Sequence, residues 1–152
     1  MNISGHATLD APRDAVFAAI CDPRALLDII PGCQEIHLVS ADEYRGRVAM
    51  RLPAIVGSYD TYVKLVQADP PHSGAIEGRV EGRVGTVVGR GSFHLSEDAD
   101  GTVIDYEGTG VISGPLARLD SRFVEGVARS LLNEGLARLG KRLQAAPVGA
   151  PR

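Results

Sequence analysis

Hydrophobic and polar residues alternate along most of the chain between positions 36 and 112. The clearest run covers residues 44–52, where Tyr44, Val48 and Met50 share one side and three arginines share the other. A period of two is typical of a strand with one buried face. Comparable runs begin at 36 and cover 3–9, 56–67, 75–80, 86–95 and 102–112. Sequences rich in Gly, Pro and Asp separate them, so we predict about seven antiparallel strands.

Helical periodicity replaces this alternation in three places. Pro12 lies at the start of one short predicted helix, and Asp22-Pro23 cap and begin a second, which ends at Pro31. A single long helix is predicted over about 116–144. The order of elements is therefore a strand, two short helices, about six strands and one long helix. This order predicts an α+β fold whose helices gather on one face of a sheet.

The long helix carries two apolar stripes, which lie about 150–160° apart around its axis. The first contains Leu116, Leu119, Phe123 and Val127, and the second contains Leu132, Leu136, Leu139 and Leu143. We expect the first stripe to cover the sheet and the second to form an edge or an assembly surface.

The length of 152 residues and the 44% hydrophobic content suit one globular domain. We predict this domain over 1–145 and a flexible tail over 146–152. A net charge of −3 and an aromatic content of 5% argue against a nucleic-acid-binding protein. The chain has no apolar run long enough to span a membrane and no signal peptide, so we expect a cytoplasmic protein.

Glycines are concentrated in the strand region, where ten of the 18 fall between Gly74 and Gly114. Several occupy inward positions of the alternation: Gly46, Gly78, Gly89, Gly91, Gly108 and Gly110. Such glycines either bend a sheet around a filled core or leave a ligand cavity. An empty apolar cavity of about 300 Å³ would cost on the order of 7 kcal/mol. The few aromatic residues favour a cavity, although both interpretations remain open.

Side chains that could carry catalysis are scattered. The four histidines are His6, His37, His72 and His94, and none has a metal-binding partner at helical or strand spacing. Asp105 and Glu107 lie on the outer strand face, and Cys21 and Cys33 lack metal-ligand spacing. We therefore predict no catalytic residues, no metal site and two reduced, packed thiols, while a Cys–His pair formed in space stays open.

Several short motifs resemble the CoxG family of carbon monoxide dehydrogenase subunits over about residues 3–143. They are Leu9 to Phe17, Asp22-Pro23, Ile30-Pro31-Gly32-Cys33, Asp69-Pro70-Pro71, Gly101-Thr102, Tyr106 and Ser113 to Ala117. The resemblance implies the helix-grip fold of the START/Bet v 1-like (SRPBCC) superfamily, in which a curved antiparallel sheet wraps around a long C-terminal helix. Members hold hydrophobic ligands between helix and sheet.

The resemblance also implies a function. The chain would be a non-catalytic protein that binds a hydrophobic small molecule, a quinone, with no covalent cofactor. It would serve a molybdenum hydroxylase of the carbon monoxide dehydrogenase type, by recruiting it to the membrane or by delivering its electron acceptor. Some relatives continue into a membrane-anchoring tail. The sequence up to Arg152 contains no such tail, so we expect only peripheral contact at the inner face of the cell membrane.

The expected ligand site follows from this analogy and from the glycine argument. Its lining would be Val48, Met50, Tyr59, Val63, Phe93, Tyr106, Leu119, Phe123 and Val127, with the tyrosine hydroxyls as polar anchors. Its rim would be the corner formed by Ile30, Pro31, Gly32 and Cys33.

Two alternatives remain open. One is an enzyme of the cyclase or hydrolase type, with Tyr59 or Tyr106 as its acid. The other is a ligand-free assembly module that docks through the outer arginines or the second leucine stripe.

Overall fold

A computed structural model describes the backbone of residues 1–99 and 101–149, and the side chains up to Gln144 within these ranges. Its strands are β1 (Asn2–Leu9), β2 (Cys33–Ser40), β3 (Glu43–Met50), β4 (Gly57–Asp69), β5 (Ser73–Gly82), β6 (Gly85–Asp98) and β7 (Gly101–Ser113). Its helices are α1 (Arg13–Cys21), α2 (Pro23–Ile29) and α3 (Ser121–Gly149), and a 3-10 turn covers Pro115–Arg118.

The seven strands form one antiparallel sheet in the order β1-β7-β6-β5-β4-β3-β2. Neighbouring strands in the sequence pair as hairpins, except that β1 pairs with β7. The predicted α+β architecture, with two short helices after the first strand and a long C-terminal helix, is confirmed.

The two ends of the sheet differ. At one end, which we call the open end, lie the β3–β4 connection (51–56), the β5–β6 turn (83–84) and the β7–α3 connection (114–120). The backbone N–H of Leu116 donates to the carbonyl of Val84 at 2.6 Å and joins two of these segments. At the other end, which we call the helical end, α1 and α2 close the sheet.

The main hydrophobic core lies at the helical end. Its buried members are Leu9, Ala11, Val16, Phe17, Ala19, Ala25, Ile29, Leu95, Ile104, Leu139 and Leu143. The carboxylate of Asp22 accepts a hydrogen bond from the Arg24 N–H at 2.9 Å and caps α2, while Pro23 takes the first helical position. The predicted Asp-Pro helix start is therefore confirmed.

The long helix begins later than predicted. Gly114 has a φ of 80°, and the chain then forms the 3-10 turn before it becomes extended at Leu119. The Asp120 carboxylate accepts a hydrogen bond from the Arg122 N–H at 2.8 Å and caps the start of α3. The prediction of one continuous helix from 116 is wrong, because a local side-chain cap starts a new helix after Asp120.

The role assigned to the second stripe is wrong, whereas Leu116 of the first stripe is buried against β6 and β7 as expected. Leu139 is 1% exposed and Leu143 is 8% exposed, and both belong to the core, whereas Phe123 is 44% exposed. The helix packs most closely against α2, β1 and α1. Its C-terminal half therefore meets the helical end, and the second stripe is a core contact and not an edge or assembly surface.

The predicted tail lies only partly within the described backbone. Helix α3 includes positions 146–149, and positions 150–152 lie outside the described residues. The flexible tail and the domain boundary at 145 therefore stay predictions. Within residues 1–99 and 101–149, no helix combines the length and the hydropathy needed to cross a membrane.

Candidate ligand-binding site

Aromatic rings cover some of the inward glycines. Tyr106 pairs with Gly5 across β7 and β1, and a Cβ built on Gly5 would come within 2.6 Å of the Tyr106 hydroxyl. Phe93 pairs with Gly74 in the same way, and a Cβ there would meet its ring at 2.6 Å. These two glycines therefore make room for aromatic rings that extend the core, where Phe93 lies 5.9 Å from Phe17 between ring centroids.

Tyr59 fills a third glycine position near the open end. A Cβ on Gly82 would lie 2.6 Å from its ring, and its hydroxyl donates to the carbonyl of Ile55 at 3.1 Å. Tyr59 is 5% exposed, and its burial raises the pKa of the phenol. Because its proton is already donated to Ile55, this tyrosine is not a free donor for a ligand.

Gly46 of β3 lies against the backbone of Glu35 and Ile36, and five inward glycines of β5, β6 and β7 are also not covered by rings. We call Gly78, Gly89, Gly91, Gly108 and Gly110 the glycine floor, because they occupy adjacent positions of β5, β6 and β7. The atoms nearest to a Cβ built on Gly78 or Gly91 are backbone carbonyl oxygens and the aliphatic side chains of Val63 and Ile76. The side chains of Met1 and Val87 would lie 3.3 Å from a Cβ on Gly110, and the other floor positions expose mainly peptide backbone at the centre of the concave face.

Aliphatic side chains surround the glycine floor, and water reaches all of them. Val63, Ile76, Val80, Val87 and Ile112 follow the inward phase of their strands, yet each is only half-buried. Full burial of one such side chain is worth about 1.5–3 kcal/mol. The protein leaves part of this stabilisation unused, so the centre of the concave face is an apolar surface that its own residues do not fill.

The predicted lining residues fall into three groups. Val63, Phe93 and Tyr106 border the glycine floor, and Val48 pairs with Tyr59 nearer the open end, where Met50 lies opposite Gly57. Val127 is half-buried on α3, and Leu119 and Phe123 lie where the β7–α3 connection meets that helix. Their role in binding stays a prediction. The predicted inward phase of the strand residues is confirmed.

Sequence reasoning missed four residues that lie beside the floor: Ile76, Val80, Val87 and Ile112. The signal was present, because each continues the period of two through the inward glycines. Their position beside the floor depends on strand register, which the sequence alone does not fix.

The predicted rim corner joins three elements. Gly32 has a φ of 79°, and its carbonyl accepts a hydrogen bond from the Ala49 N–H at 2.8 Å, so the corner lies against β3. A Cβ built on Gly135 of α3 would lie 3.4 Å from the carbonyl of Ile29, just before the corner. The Cys33 thiol donates to the carbonyl of Glu35 at 3.4 Å.

Neither cysteine has the environment of a nucleophile. Both are free and half-buried. Burial is the main cause that raises the pKa of the Cys33 thiol, and it also raises the pKa of Cys21. A raised pKa disfavours the reactive thiolate, which agrees with the packing role predicted for both.

One hydroxyl on the inward face of the sheet is buried without a hydrogen bond. The Thr61 hydroxyl is buried on the inward face of β4 and has no hydrogen-bond partner among the residues that the structure describes. An unpaired buried hydroxyl costs about 1–3 kcal/mol. No sequence signal distinguishes it from other inward threonines.

The opposite face of the sheet carries a polar groove of about 540 Å³. Its lining includes Asp69, Ser73, His94, Asp105 and Glu107. The outward positions predicted for His94, Asp105 and Glu107 are confirmed. Across the described part of the chain, no three His, Cys, Asp or Glu side chains are placed to hold a metal ion. A second cleft of about 400 Å³ lies between β1 and α3.

Comparison with known proteins identifies the family of this chain. Residues 5–144 match the model of CoxG, a family of carbon monoxide dehydrogenase subunits. The chain belongs to the CoxG family. A search of curated proteins finds no match.

Solved structures support the fold. A conserved protein from Geobacillus kaustophilus is 25% identical, with a TM-score of 0.92 over 95% of this chain and 96% of that one. A START superfamily protein from Mycobacterium smegmatis is 12% identical, with a TM-score of 0.74 over 95% and 97%. Ara h 8.0201 is 13% identical, with a TM-score of 0.70 over 96% and 99%. The expected START/Bet v 1-like fold is confirmed.

The family and the fold together support a ligand-binding accessory protein. The family name associates such proteins with carbon monoxide dehydrogenase.

Proposed function

We propose that this CoxG family member is a non-catalytic carrier of a hydrophobic small molecule, a quinone, for a molybdenum hydroxylase of the carbon monoxide dehydrogenase type. The observation that carries this proposal is the apolar and incompletely buried centre of the concave face. Covering apolar surface there stabilises a complex by about 25 cal/mol per Å². The family name supports the choice of partner enzyme, and the ligand would carry electrons from it.

We further propose that the carrier exchanges its ligand at a membrane, with the open end facing the lipid. This end combines exposed arginines with exposed apolar side chains. The arginines are Arg51, Arg83, Arg118 and Arg122, and the apolar residues are Leu52, Val56 and Phe123. Each basic residue near an anionic membrane contributes about 1 kcal/mol of attraction.

The charge of the rest of the molecule favours the same orientation. The whole chain has a net charge of −3, so the positively charged open end differs in sign from the chain as a whole. Exposed or half-buried carboxylates lie at the helical end, on Asp10, Asp42, Asp69 and Asp98. An anionic surface would repel that end and attract the open end.

Ligand retention tests the carrier function. The protein is incubated with a bacterial lipid extract, re-purified and analysed by native mass spectrometry, and we expect a retained apolar molecule. Val87→Phe fills the concave face and should abolish retention. Val88→Phe is the matched control, because Val88 is the next residue, points outward and is 48% exposed. If neither the wild type nor the control variant retains an apolar molecule, the carrier function is refuted.

Flotation with vesicles of phosphatidylglycerol and phosphatidylcholine tests the orientation. The double change Arg118→Glu and Arg122→Glu should weaken binding at least tenfold, because two attractive charges become repulsive. The control double change Arg45→Glu and Arg90→Glu alters the net charge equally, but on the outer strand face. Equal losses in both doubles would show that the open end has no special role.

A further inference from the structure

We infer that the groove between β1 and α3 binds an extended, acidic peptide segment of a partner protein, which adds to the edge of the sheet as a further strand. This groove is the cleft of about 400 Å³ between these two elements. It shares no lining residue with the predicted ligand site, so the inference is independent of the proposed carrier function.

The hydrogen bonds between β1 and β7 determine which backbone groups of β1 are free. Met1 and Gly110 exchange two hydrogen bonds, at 3.0 and 2.9 Å. In an antiparallel pair, such hydrogen-bonded positions alternate with positions that form no bond to the partner strand. The odd positions of β1, up to Leu9, therefore face β7. The even positions turn their N–H and C=O groups towards the outer edge of the sheet.

One of these edge groups already has a partner. The Arg129 guanidinium of α3 donates to the carbonyl of Ser4 at 3.1 Å, which agrees with the outward direction of the even positions. His6 and Thr8 are exposed, and their N–H and C=O groups have no partner among the residues that the structure describes. Unpaired groups on an edge strand are a template for another strand. The chemistry that satisfies them is a second polypeptide backbone.

Helix α3 runs beside this edge and turns it into a groove. Arg129 contacts Ser4, and a Cβ built on Gly140 would lie 3.5 Å from the side chain of Leu9. Five steps along a strand cover about 17 Å, and eleven steps along a helix cover about 16.5 Å. The helix and the strand therefore run side by side in the same direction, with the free backbone groups of β1 between the two points of contact.

The helix face that lines the groove is small and apolar at its centre. Ala137 and Gly140 lie there, beside Leu136 and the buried Leu9. Successive side chains of an added strand alternate between the two faces of the sheet. One side chain of the segment would therefore occupy the space over Ala137 and Gly140, which suits a branched apolar residue.

The charges along the groove favour an acidic segment. Lys141 belongs to the lining and Arg129 lies where the groove begins, whereas Asp10 is the one carboxylate of the lining. The groove is thus locally basic in a chain whose net charge is −3. A carboxylate of the segment that pairs with Lys141 would fix its direction, because complementary charges set the orientation and register of partners.

Main-chain addition at an edge strand is how PDZ and PTB domains bind extended peptides. The main-chain hydrogen bonds give affinity, and pockets for alternate side chains give specificity. In this groove the backbone groups of His6 and Thr8 would supply the first, and the space over Gly140 together with Lys141 would supply the second.

A peptide selected on the full-length protein is the probe. A random dodecapeptide phage library is selected on the immobilised protein, and we expect binders with alternating β-branched or aromatic residues and an Asp or Glu. The best peptide is synthesised with a fluorescein label, and fluorescence anisotropy measures its affinity. Amide hydrogen exchange followed by NMR should show that the N–H groups of His6 and Thr8 become protected in the complex.

Thr8→Pro tests the backbone contact. It removes a free N–H group and leaves the hydrogen bonds to β7 in place, since proline is tolerated where an edge N–H faces outward. It should weaken the peptide by about tenfold or more. Asn2→Pro is the matched control, because Asn2 has the same orientation in β1 but lies outside the groove. It should leave the affinity within about twofold of the wild type.

Lys141→Glu tests the charge preference. It should weaken the acidic peptide by about fivefold or more, because an attraction becomes a repulsion. Arg90→Glu makes the same charge change on the outer strand face and should have little effect. If Thr8→Pro does not fold, methylation of alternate backbone nitrogens of the peptide replaces it. Methylation of the set that faces β1 should abolish binding, and methylation of the other set should not.

Several results would overturn the inference. One is a library that yields no peptide able to protect the His6 and Thr8 amides. Another is binding that Thr8→Pro weakens no more than Asn2→Pro does. A third is a dimer of this protein in analytical ultracentrifugation that Thr8→Pro converts to a monomer, because the groove would then hold a second copy and not a separate partner.

Discussion

Truncation of Leu139 to alanine tests which half of α3 holds the fold together. Leu139 is 1% exposed and belongs to the core at the helical end. Leucine-to-alanine changes at such sites cost about 2–5 kcal/mol, because the transfer free energy of the side chain is lost and a cavity remains. For a domain of this size, a loss of about 3 kcal/mol lowers the melting temperature by roughly 6–12 °C.

The matched change is Phe123→Ala on the same helix. Phe123 is 44% exposed, so its removal should cost less than about 1 kcal/mol despite the larger side chain. Urea unfolding followed by far-UV circular dichroism measures both, with an unchanged m-value as the sign of an intact two-state transition. If Phe123→Ala cost as much as Leu139→Ala, the N-terminal half of α3 would be core, and the concave face would be filled.

Three further predictions concern single sites. Thr61→Val removes an unpaired buried hydroxyl and should leave the free energy of unfolding unchanged or raise it by up to about 1 kcal/mol; a clear loss would reveal a hidden partner. Gly32→Ala should lower that free energy by at least about 2 kcal/mol, since alanine disfavours a φ of 79° and its Cβ would press on the Ala49 carbonyl; a loss below about 0.5 kcal/mol would contradict this. The Cys33 thiol should react with iodoacetamide at pH 8 more slowly in the folded protein than in the unfolded chain, because folding raises its pKa. The difference between the two reaction rates should decrease as the pH rises. The stabilisation linked to this shift is fully present below the pKa of the Cys33 thiol in the unfolded chain, and it is lost as the pH rises through the pKa of the same thiol in the folded protein. Equal rates at pH 8 would refute the burial argument.

The strand faces could be predicted because alternation is a local property. Tyr44, Val48 and Met50 lie inward as expected, since each strand needs only its own residues to define two faces. The start and the end of α2 were equally local. Pro23 and Gly32 act within a few residues of their own positions.

What failed depends on contacts that are distant in sequence. The apolar stripe that α3 buries is decided by where α1 and α2 close the sheet, and nothing near Leu139 indicates this. The sorting of the glycines depends on strand register, because Gly74 is covered by Phe93 of the neighbouring strand while Gly91 is not covered. A single sequence leaves register open wherever glycines interrupt the pattern.

The structure also narrows the two alternatives. For an enzyme, Tyr59 is a poor acid, because its hydroxyl donates to Ile55, so Tyr106 is the remaining candidate. For a docking module, Leu139 and Leu143 are buried, so the outer arginines are the remaining surface. Arg47 and Asp60 pair on that surface at 3.3 Å, and such exposed pairs contribute little to stability.

Methyl-detected NMR during titration with menadione, a planar quinone, tests the central claim most directly. The methyl signals of Ile76, Val80, Val87 and Ile112 should shift as the ring covers the concave face. Those of Val88 and Val111, which are 48% and 74% exposed on the outer face, should stay in place. Shifts confined to the outer valines, or no shift in any inward methyl group up to saturating menadione, would contradict a ligand-binding concave face.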